Sequence, residues 1–180
     1  ELRILLIRPK YTSIVAHLEP LGLEYVAGLA HDMGIKCDIH DEFQHPWTFR
    51  FARMCRIIKK GNYNYIGLNA NANTVDYINK RAKQLKKKFP GIKIQVGGPE
   101  AEMNYKEFCV DDVDYVYYDN GLSTQKKMWE SDLSPKALDE LTGIAFKKDG
   151  ERVIKEQGKP VSGFINKPDR TTFYKGLKKN

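Results

Sequence analysis

Residues 92–102 read Ile-Lys-Ile-Gln-Val-Gly-Gly-Pro-Glu-Ala-Glu. Apolar side chains alternate at Ile92, Ile94 and Val96, and this alternation predicts a short strand. The two glycines that follow allow positive φ and the close approach of a ligand, while Pro99 suits the first turn of a helix. Open α/β sheets bind flat or phosphorylated ligands where a strand, a turn and a helix start meet in this way. The same turn can also serve only to reverse the chain, so its function depends on what surrounds it.

Four further segments have the pattern of strands, and helical patterns separate them. The predicted strands are Arg3–Arg8, Lys36–Asp41 at an edge, Tyr65–Leu68 and Val113–Tyr118. The predicted helices run from Pro20 to a C-terminal cap at Gly34, from Phe49 to Lys60, from Thr74 to Phe89, from Glu100 to about Cys109, and from Asp119 to Glu130. Five strands that alternate with helices predict an α/β three-layer sandwich with a five-stranded parallel sheet. We predict the flavodoxin-like (Rossmann-like) strand order 2-1-3-4-5.

The carboxyl-terminal part has a different pattern. Residues 143–154 predict a β-hairpin around Asp149-Gly150. Beyond Gly158 the chain becomes polar and basic and contains Pro160 and Pro168, which is typical of a linker. We therefore predict a Rossmann-like domain over 1–140, a hairpin extension over 141–158 and a basic linker or tail over 159–180.

Composition excludes several classes of protein. The chain has 180 residues, of which 41% are hydrophobic, and it has no apolar run long enough for a transmembrane helix or a signal peptide. Of the net charge of +7, most lies in residues 145–180, which hold ten Lys or Arg and four Asp or Glu. Such a segment is either a solvated tail or a docking surface for an acidic partner. No aromatic-interleaved RNA-binding motif is present, so we do not expect nucleic acid as a partner.

The three cysteines are Cys37, Cys55 and Cys109, which are far apart in the chain. Their odd number indicates a reducing compartment, and we expect the cytoplasm. No C-x-x-C or C-x-x-x-C-x-x-C spacing occurs, so cysteines of this chain alone do not build an iron–sulfur cluster or a structural zinc site.

Four loops border one crevice in the predicted strand order. They are residues 9–19, 69–74, 97–100 and 119–123, and they are rich in small, amide and hydroxyl residues. Among them only His17 is a histidine, and no spacing indicates a nucleophile with its base or a pair of catalytic carboxylates. We expect the crevice to hold a large polar ligand and to have no catalytic residues of its own.

Three doubly wound classes fit poorly. A phospho-receiver needs acidic residues after strand one and an aspartate after strand three, where this chain has Arg8-Pro9-Lys10 and Asn69. A flavodoxin needs a glycine in the phosphate loop, and residues 11–16 have none. A dinucleotide fold needs G-x-G-x-x-G after strand one, and that motif is absent.

Several motifs occur together in a specific order. They are Pro20-Leu-Gly-Leu-Glu-Tyr-Val-Ala27 with Gly34, Tyr65-Ile-Gly-Leu68, Val96-Gly-Gly-Pro99 and Asp114-Tyr-Val-Tyr117. In this order and spacing they resemble the amino-terminal cobalamin-binding domain of cobalamin-dependent radical S-adenosylmethionine enzymes. Leu141-Thr-Gly-Ile144 and Pro168-Asp-Arg170 are similar to the hairpin and the linker that precede the radical domain in these proteins. The resemblance covers about residues 3–170.

The resemblance implies a corrinoid at the carboxyl edge of the sheet, with its nucleotide tail in the crevice. By position, the implied cofactor-binding residues are Thr12, Ser13, Leu21, Gly22, Asn69, Asn71, Asn73, Thr74, Gly97, Gly98, Pro99, Glu100 and Gly121. The D-x-H-x-x-G motif of cobalamin mutases is absent, so the resemblance implies cobalamin without a histidine lower ligand. It further implies that the iron–sulfur cluster and S-adenosylmethionine belong to a separate or absent domain, in cis or in trans.

Two hypotheses follow from these observations. In the first, the chain is the corrinoid domain of a radical S-adenosylmethionine enzyme, such as a methyltransferase, and is not catalytic by itself. In the second, it is a cofactor-free relative that serves as a docking or scaffold module through its basic tail. The intact Gly-Gly-Pro turn favours the first hypothesis, and the sequence Asp119-Asn120 after strand five favours the second.

Overall fold

A computed structural model describes residues 1–10, 19–44, 50–119, 121–158 and 167–171 of the chain. The strands are β1 (Arg3–Arg8), β2 (Lys36–Asp41), β3 (Tyr65–Asn69), β4 (Lys93–Gly97), β5 (Tyr115–Tyr117), β6 (Ile144–Lys148) and β7 (Glu151–Lys155). The helices are α1 (Leu21–Asp32), α2 (Arg50–Gly61), α3 (Val75–Lys88), α4 (Pro99–Asn104), α5 (Leu122–Glu130) and α6 (Pro135–Asp139). Single 3₁₀ turns occur at Glu42–Gln44 and Tyr105–Phe108.

One sheet holds all seven of these strands in the order β2-β1-β3-β4-β5-β6-β7. The pairs from β2 to β5 are parallel, so the predicted order 2-1-3-4-5 and the edge position of β2 are confirmed. In register, Gly67 of β3 lies between Leu6 of β1 and Gln95 of β4. These three residues lie side by side and line a crevice at the carboxyl edge of the sheet.

The predicted hairpin forms, and it continues the sheet. β6 pairs antiparallel with β5, and Tyr115 lies opposite Phe146. Ile144, Ala145 and Phe146 have no exposed surface. The alternation in residues 143–154 predicts that β6 pairs with β7, but it carries no information on the neighbour of β5. Over the described ranges the sheet therefore has seven strands, of which the predicted five form the parallel part.

The sheet has one apolar core on each face, which confirms the three-layer sandwich. Along β1, Leu5 and Ile7 belong to the core under α2 and α3, while Ile4 and Leu6 belong to the core under α1 and α5. A strand with apolar residues at every position is thereby buried on both faces. The described helices are too short and too polar for any of them to cross a membrane.

The differences from the predicted elements are local. The predicted helix up to Cys109 is interrupted, because α4 ends at Asn104 and a 3₁₀ turn follows. β5 has three residues where six were predicted, and the short helix α6 was not predicted. Gly34 has φ of +72° directly after the last turn of α1, so the predicted C-terminal cap is confirmed.

Basic residues of the carboxyl-terminal part pair within the fold. Lys147 Nζ lies 2.6 Å from an Asp111 carboxylate oxygen, and Lys148 Nζ lies 2.7 Å from Asp139. The segment 167–171 packs on α1, where the Asp169 N–H donates to the Glu24 carbonyl at 2.8 Å. Arg170 Nε lies 3.0 Å from a Glu19 carboxylate oxygen. These cations therefore contribute to the fold as well as to the net charge.

Candidate functional site

A crevice opens at the carboxyl edge of the parallel strands, on the face covered by α1 and α5. Its cavity has a volume of about 320 Å³. The lining comes from strands β1, β3, β4 and β5, from helices α1, α4 and α5, and from the turns that follow β4 and β5. The lining residues are Leu6, Gly22, Leu23, Tyr25, Val26, Gly67, Leu68, Asn69, Gln95, Gly97, Gly98, Pro99, Glu102, Tyr117, Asp119, Gly121, Leu122 and Gln125. Three of the four predicted loops thus meet here; most of the loop after β1 lies outside the described residues.

Glycines leave the walls of this crevice open. A Cβ added at Gly22 in the first turn of α1 would meet no atom within 4 Å. A Cβ at Gly97 would meet only Tyr117 Cβ, at 3.8 Å, which is ordinary contact. Neither glycine has positive φ, so the backbone does not require glycine at these positions. Glycine at these two positions leaves the space beside the wall of the crevice unfilled.

Gly98 has a different role, because it joins two loops. Its φ is +107°, and a Cβ there would lie 2.7 Å from the Ala70 carbonyl oxygen. The Ala70 N–H donates to the Gly97 carbonyl at 2.7 Å, and the Glu100 N–H donates to the Ala70 carbonyl at 3.1 Å. The turns after β3 and β4 are therefore held together as one wall of the crevice.

The loop of residues 69–74 is stabilised by its own side chains. The Thr74 hydroxyl donates to the Asn71 carbonyl at 2.6 Å and accepts from the Asn71 N–H at 3.0 Å. The Asn71 amide donates to Asn69 Oδ1 at 2.5 Å, and Asn73 adopts φ of +64°. Asn69 is the member of this loop that lines the cavity.

In the part of the chain that the structure describes, the charged residues that line the cavity are Glu102 and Asp119, which are both acidic. Burial raises the pKa of the Asp119 carboxyl above its usual value, and the negative charge of Glu102 raises it further. Asp119 Oδ1 is buried without a hydrogen-bond partner in the part of the chain that the structure describes. The crevice therefore suits a ligand that offers hydrogen-bond donors, such as amides or hydroxyls, on this side.

Two glutamines that line the cavity were not predicted as site residues. Gln95 is 4% exposed in the middle of β4, where its Oε1 accepts from the Tyr65 hydroxyl at 2.8 Å. Gln125 is 6% exposed on α5, and its Oε1 has no partner among the described residues. A glutamine between Ile94 and Val96 in a strand buried on both faces was the sequence signal for the first of them.

A known protein family matches most of this chain by sequence. The model of the B12-binding domain family matches residues 11–126, which is well over half of the chain. The chain belongs to the B12-binding domain family. No curated protein matches the chain by sequence.

Solved cobalamin enzymes share the fold of this B12-binding domain. The cobalamin-dependent S-adenosylmethionine radical enzyme OxsB, with aqua-cobalamin and S-adenosylmethionine bound, matches with a TM-score of 0.76 and 15% identity over 99% of the chain. The radical S-adenosylmethionine methyltransferase TsrM from Kitasatospora setae, with tryptophan substrate and a SAM analogue bound, matches with a TM-score of 0.72 and 11% identity over 97% of the chain. The chain covers 25% of the OxsB chain and 37% of the TsrM chain. It thus corresponds to a minor part of each of these enzymes.

The candidate cofactor residues occupy three kinds of position in this B12-binding domain. Six of them line the crevice, namely Gly22, Asn69, Gly97, Gly98, Pro99 and Gly121. Five are described but are not part of the lining, namely Leu21, Asn71, Asn73, Thr74 and Glu100. Thr12 and Ser13 lie outside the described residues. Direct contact of any of them with a cofactor stays a prediction.

The described residues bring no group of three or more His, Cys, Asp or Glu side chains together that could hold a metal ion. The cysteines are free thiols, and burial raises the pKa of each, most strongly for Cys37. A buried thiol with a raised pKa is a poor nucleophile and a poor ligand. Cys37 is buried in the core and is therefore a structural residue, whereas Cys55 and Cys109 are partly exposed.

Proposed function

We propose that this chain holds a cobalamin in the crevice at the carboxyl edge and serves as the corrinoid domain of a radical S-adenosylmethionine enzyme. The observation that carries the proposal is the glycine-lined cavity, in which Gly22 and Gly97 leave open space at the switch point of the sheet in a B12-binding domain. The corrinoid supplies the hard chemistry when it is bound, and the chain supplies its binding and orientation. The iron–sulfur cluster and S-adenosylmethionine come from a radical domain, in cis or in trans, for methyl transfer or related radical chemistry.

The residues around the cavity fit a ligand of this kind. The cavity would hold the nucleotide tail of a bound cobalamin, and the loops after β3 and β4 would hold its corrin. Leu21, which is 42% exposed beside Gly22, provides apolar surface at the rim. Asn71, Asn73, Thr74 and Glu100 belong to the loops that would hold the corrin, and Thr12 and Ser13 stay predicted contacts.

We further propose that no histidine of this chain ligates the lower face of cobalt. The two described histidines lie away from the lining: His31 pairs with Asp169, and His40 is buried in the edge strand β2. The electron paramagnetic resonance spectrum of the bound Co(II) form should show no nitrogen superhyperfine splitting that comes from a histidine, so replacing His17 or His45 by alanine should leave it unchanged. A nitrogen triplet that disappears when His17 or His45 is replaced by alanine would contradict this part of the proposal.

Gel filtration after incubation with hydroxocobalamin tests the site. The wild-type chain should elute with one cobalamin per chain, detected by its visible spectrum. Gly22→Val and Gly97→Val should each lose at least tenfold in affinity, because their side chains enter the crevice. Gly91→Val is the matched control, since a Cβ at Gly91 meets nothing within 4 Å at the amino end of β4. Equal binding by all four proteins would reject this location, and no retained cobalamin would reject the function.

The docking hypothesis is not favoured. Lys147, Lys148, Lys155 and Arg170 of the basic part each have an acidic partner within the fold. Arg152 donates to the carbonyl groups of Val110 at 2.7 Å and of Val113 at 3.0 Å. Cations engaged in this way are poorly available for an acidic partner.

A further inference from the structure

The sequence Pro168-Asp169-Arg170, which resembles an interdomain linker, is fixed to helix α1 by several contacts. The Asp169 N–H donates to the Glu24 carbonyl at 2.8 Å, and one oxygen of its carboxylate pairs with His31. The other carboxylate oxygen accepts from the Thr171 N–H at 2.8 Å and from the Thr171 hydroxyl at 2.6 Å. This part of the carboxyl-terminal segment is therefore docked on α1.

Arg170 balances the charge of two acidic side chains at the start of α1. Its Nε lies 3.0 Å from a Glu19 carboxylate oxygen and 3.7 Å from one of Glu24. Both oxygens of Glu24 are buried, and the described residues give neither of them a hydrogen-bond partner. Asp169 is the other charged group beside Glu24, and it pairs with His31. A buried carboxylate is costly unless a cation lies near it, so Arg170 offsets the charge of Glu24.

The turns of α1 that hold Glu24 also line the crevice. Gly22, Leu23, Tyr25 and Val26, which flank Glu24 in the sequence, are lining residues. Backbone hydrogen bonds link successive turns of a helix. A displacement of Glu24 toward solvent would therefore move these four residues as well.

We propose that Arg170 is a positioning residue for the cofactor site. By pairing with Glu19 and Glu24 from the carboxyl-terminal segment, it fixes the turns of α1 that line the crevice. Its effect on cobalamin rests on the proposed function. Arg170 does not belong to the lining of the crevice, so it acts through α1 and not by contact with the ligand.

The replacement Arg170→Met removes the charge and keeps much of the length of the side chain. At about pH 8, where Glu24 is mostly ionised, the variant should bind hydroxocobalamin about fivefold more weakly than the wild type, the effect of one partly exposed ion pair. At about pH 5.5 the loss should fall to about twofold or less, because Glu24 is protonated and Glu19 alone still pairs with Arg170. The ratio of the two affinities at each pH cancels any titration of the cofactor. Lys167→Met, at an exposed cation of the same segment, is the matched control and should bind like the wild type.

Two further measurements separate this positioning role from a general effect of charge. In a Glu24→Gln background, Arg170→Met should weaken binding by about twofold or less at either pH, because the buried charge is absent. Hydrogen–deuterium exchange of the ligand-free proteins at about pH 8 needs no cofactor. The first two turns of α1 should exchange faster in Arg170→Met than in the wild type, and Lys167→Met should leave their exchange unchanged.

Each contrary result has a distinct meaning. Equal losses of affinity at both pH values, or an undiminished loss in the Glu24→Gln background, would overturn the inference and leave the proposed function intact. Unchanged exchange of α1 in ligand-free Arg170→Met would do the same. Failure of the wild-type chain to bind hydroxocobalamin rejects the proposed function and, with it, a role for Arg170 in cofactor binding.

Discussion

Gly98 shows how a single residue without a side chain determines the shape of the crevice wall. Its positive φ and its close approach to the Ala70 carbonyl both exclude a Cβ. We expect Gly98→Ala to lower the free energy of unfolding by about 2 to 4 kcal/mol, from left-handed strain together with overpacking. Urea denaturation followed by circular dichroism measures this change.

Gly150 provides the control for that experiment. It has φ of +87° in the hairpin turn, and a Cβ there meets nothing within 4 Å. Gly150→Ala should therefore show only the strain, about 1 to 2 kcal/mol. If the two variants lose the same stability, the contact between the loops after β3 and β4 contributes nothing and our account of this wall is wrong.

Glu24 makes the stability of the chain depend on pH. It has no exposed surface; burial raises its pKa to about 7, and the neighbouring carboxylates of Glu19 and Asp169 contribute, while Arg170 lowers it. The folded state thus favours the protonated carboxyl. Its stabilisation is complete below the unfolded value of 4.5 and is lost as the pH rises through about 7.

Relative to Glu24→Gln, the wild type should lose about 1 to 3 kcal/mol of unfolding free energy between pH 4.5 and pH 7.5. Chemical denaturation at several pH values measures the difference. Glu151→Gln, at an exposed position of β7, should follow the wild-type curve. Parallel curves for wild type and Glu24→Gln would show that Glu24 is not the titrating group.

The hairpin β6–β7 is the element whose role changed most between sequence and structure. Phe146 is fully buried against β5, whereas Ile154 on β7 is 46% exposed. Phe146→Ala should cost about 3 to 5 kcal/mol and Ile154→Ala less than about 1 kcal/mol. Thermal or urea unfolding of both variants checks the prediction; similar small losses would mean that the hairpin is an appendage outside the cooperative core.

The strands and helices that could be predicted are those in which apolar residues recur with a regular period in the sequence. Strands buried on both faces, such as β1 and β3, appear in the sequence as short apolar runs bounded by Pro9 or Asn69. The pairing of β6 with β5 joins segments that are distant in the chain, and no local pattern encodes it. The helix α6 has only five residues, too few for a helical period to be recognised.

The sequence predicts the location of the site in the fold better than it predicts the side chains that line the site. The strand order brings the ends of β3, β4 and β5 together, so the glycine turns at Gly97 and Gly121 were found from the sequence. Gln125 could not be predicted from the sequence. In the sequence of an amphipathic helix such as α5, a glutamine that faces the cavity has the same pattern as a glutamine at the edge of the solvent-exposed face. Its unpaired oxygen is visible only when the neighbouring elements are packed around it.

At the scale of the whole molecule, the sheet, two cores and the crevice form one domain of the B12-binding family, which spans only part of the enzymes that share its fold. Hydrogen–deuterium exchange of the chain with and without saturating hydroxocobalamin tests the central claim most directly. We predict one bound cobalamin per chain and slower exchange in the first turn of α1, in residues 97–102 and in residues 121–125. The hairpin β6–β7 should be unaffected. Absence of binding, or protection confined to the hairpin and the segment 167–171, would contradict a corrinoid site in this crevice.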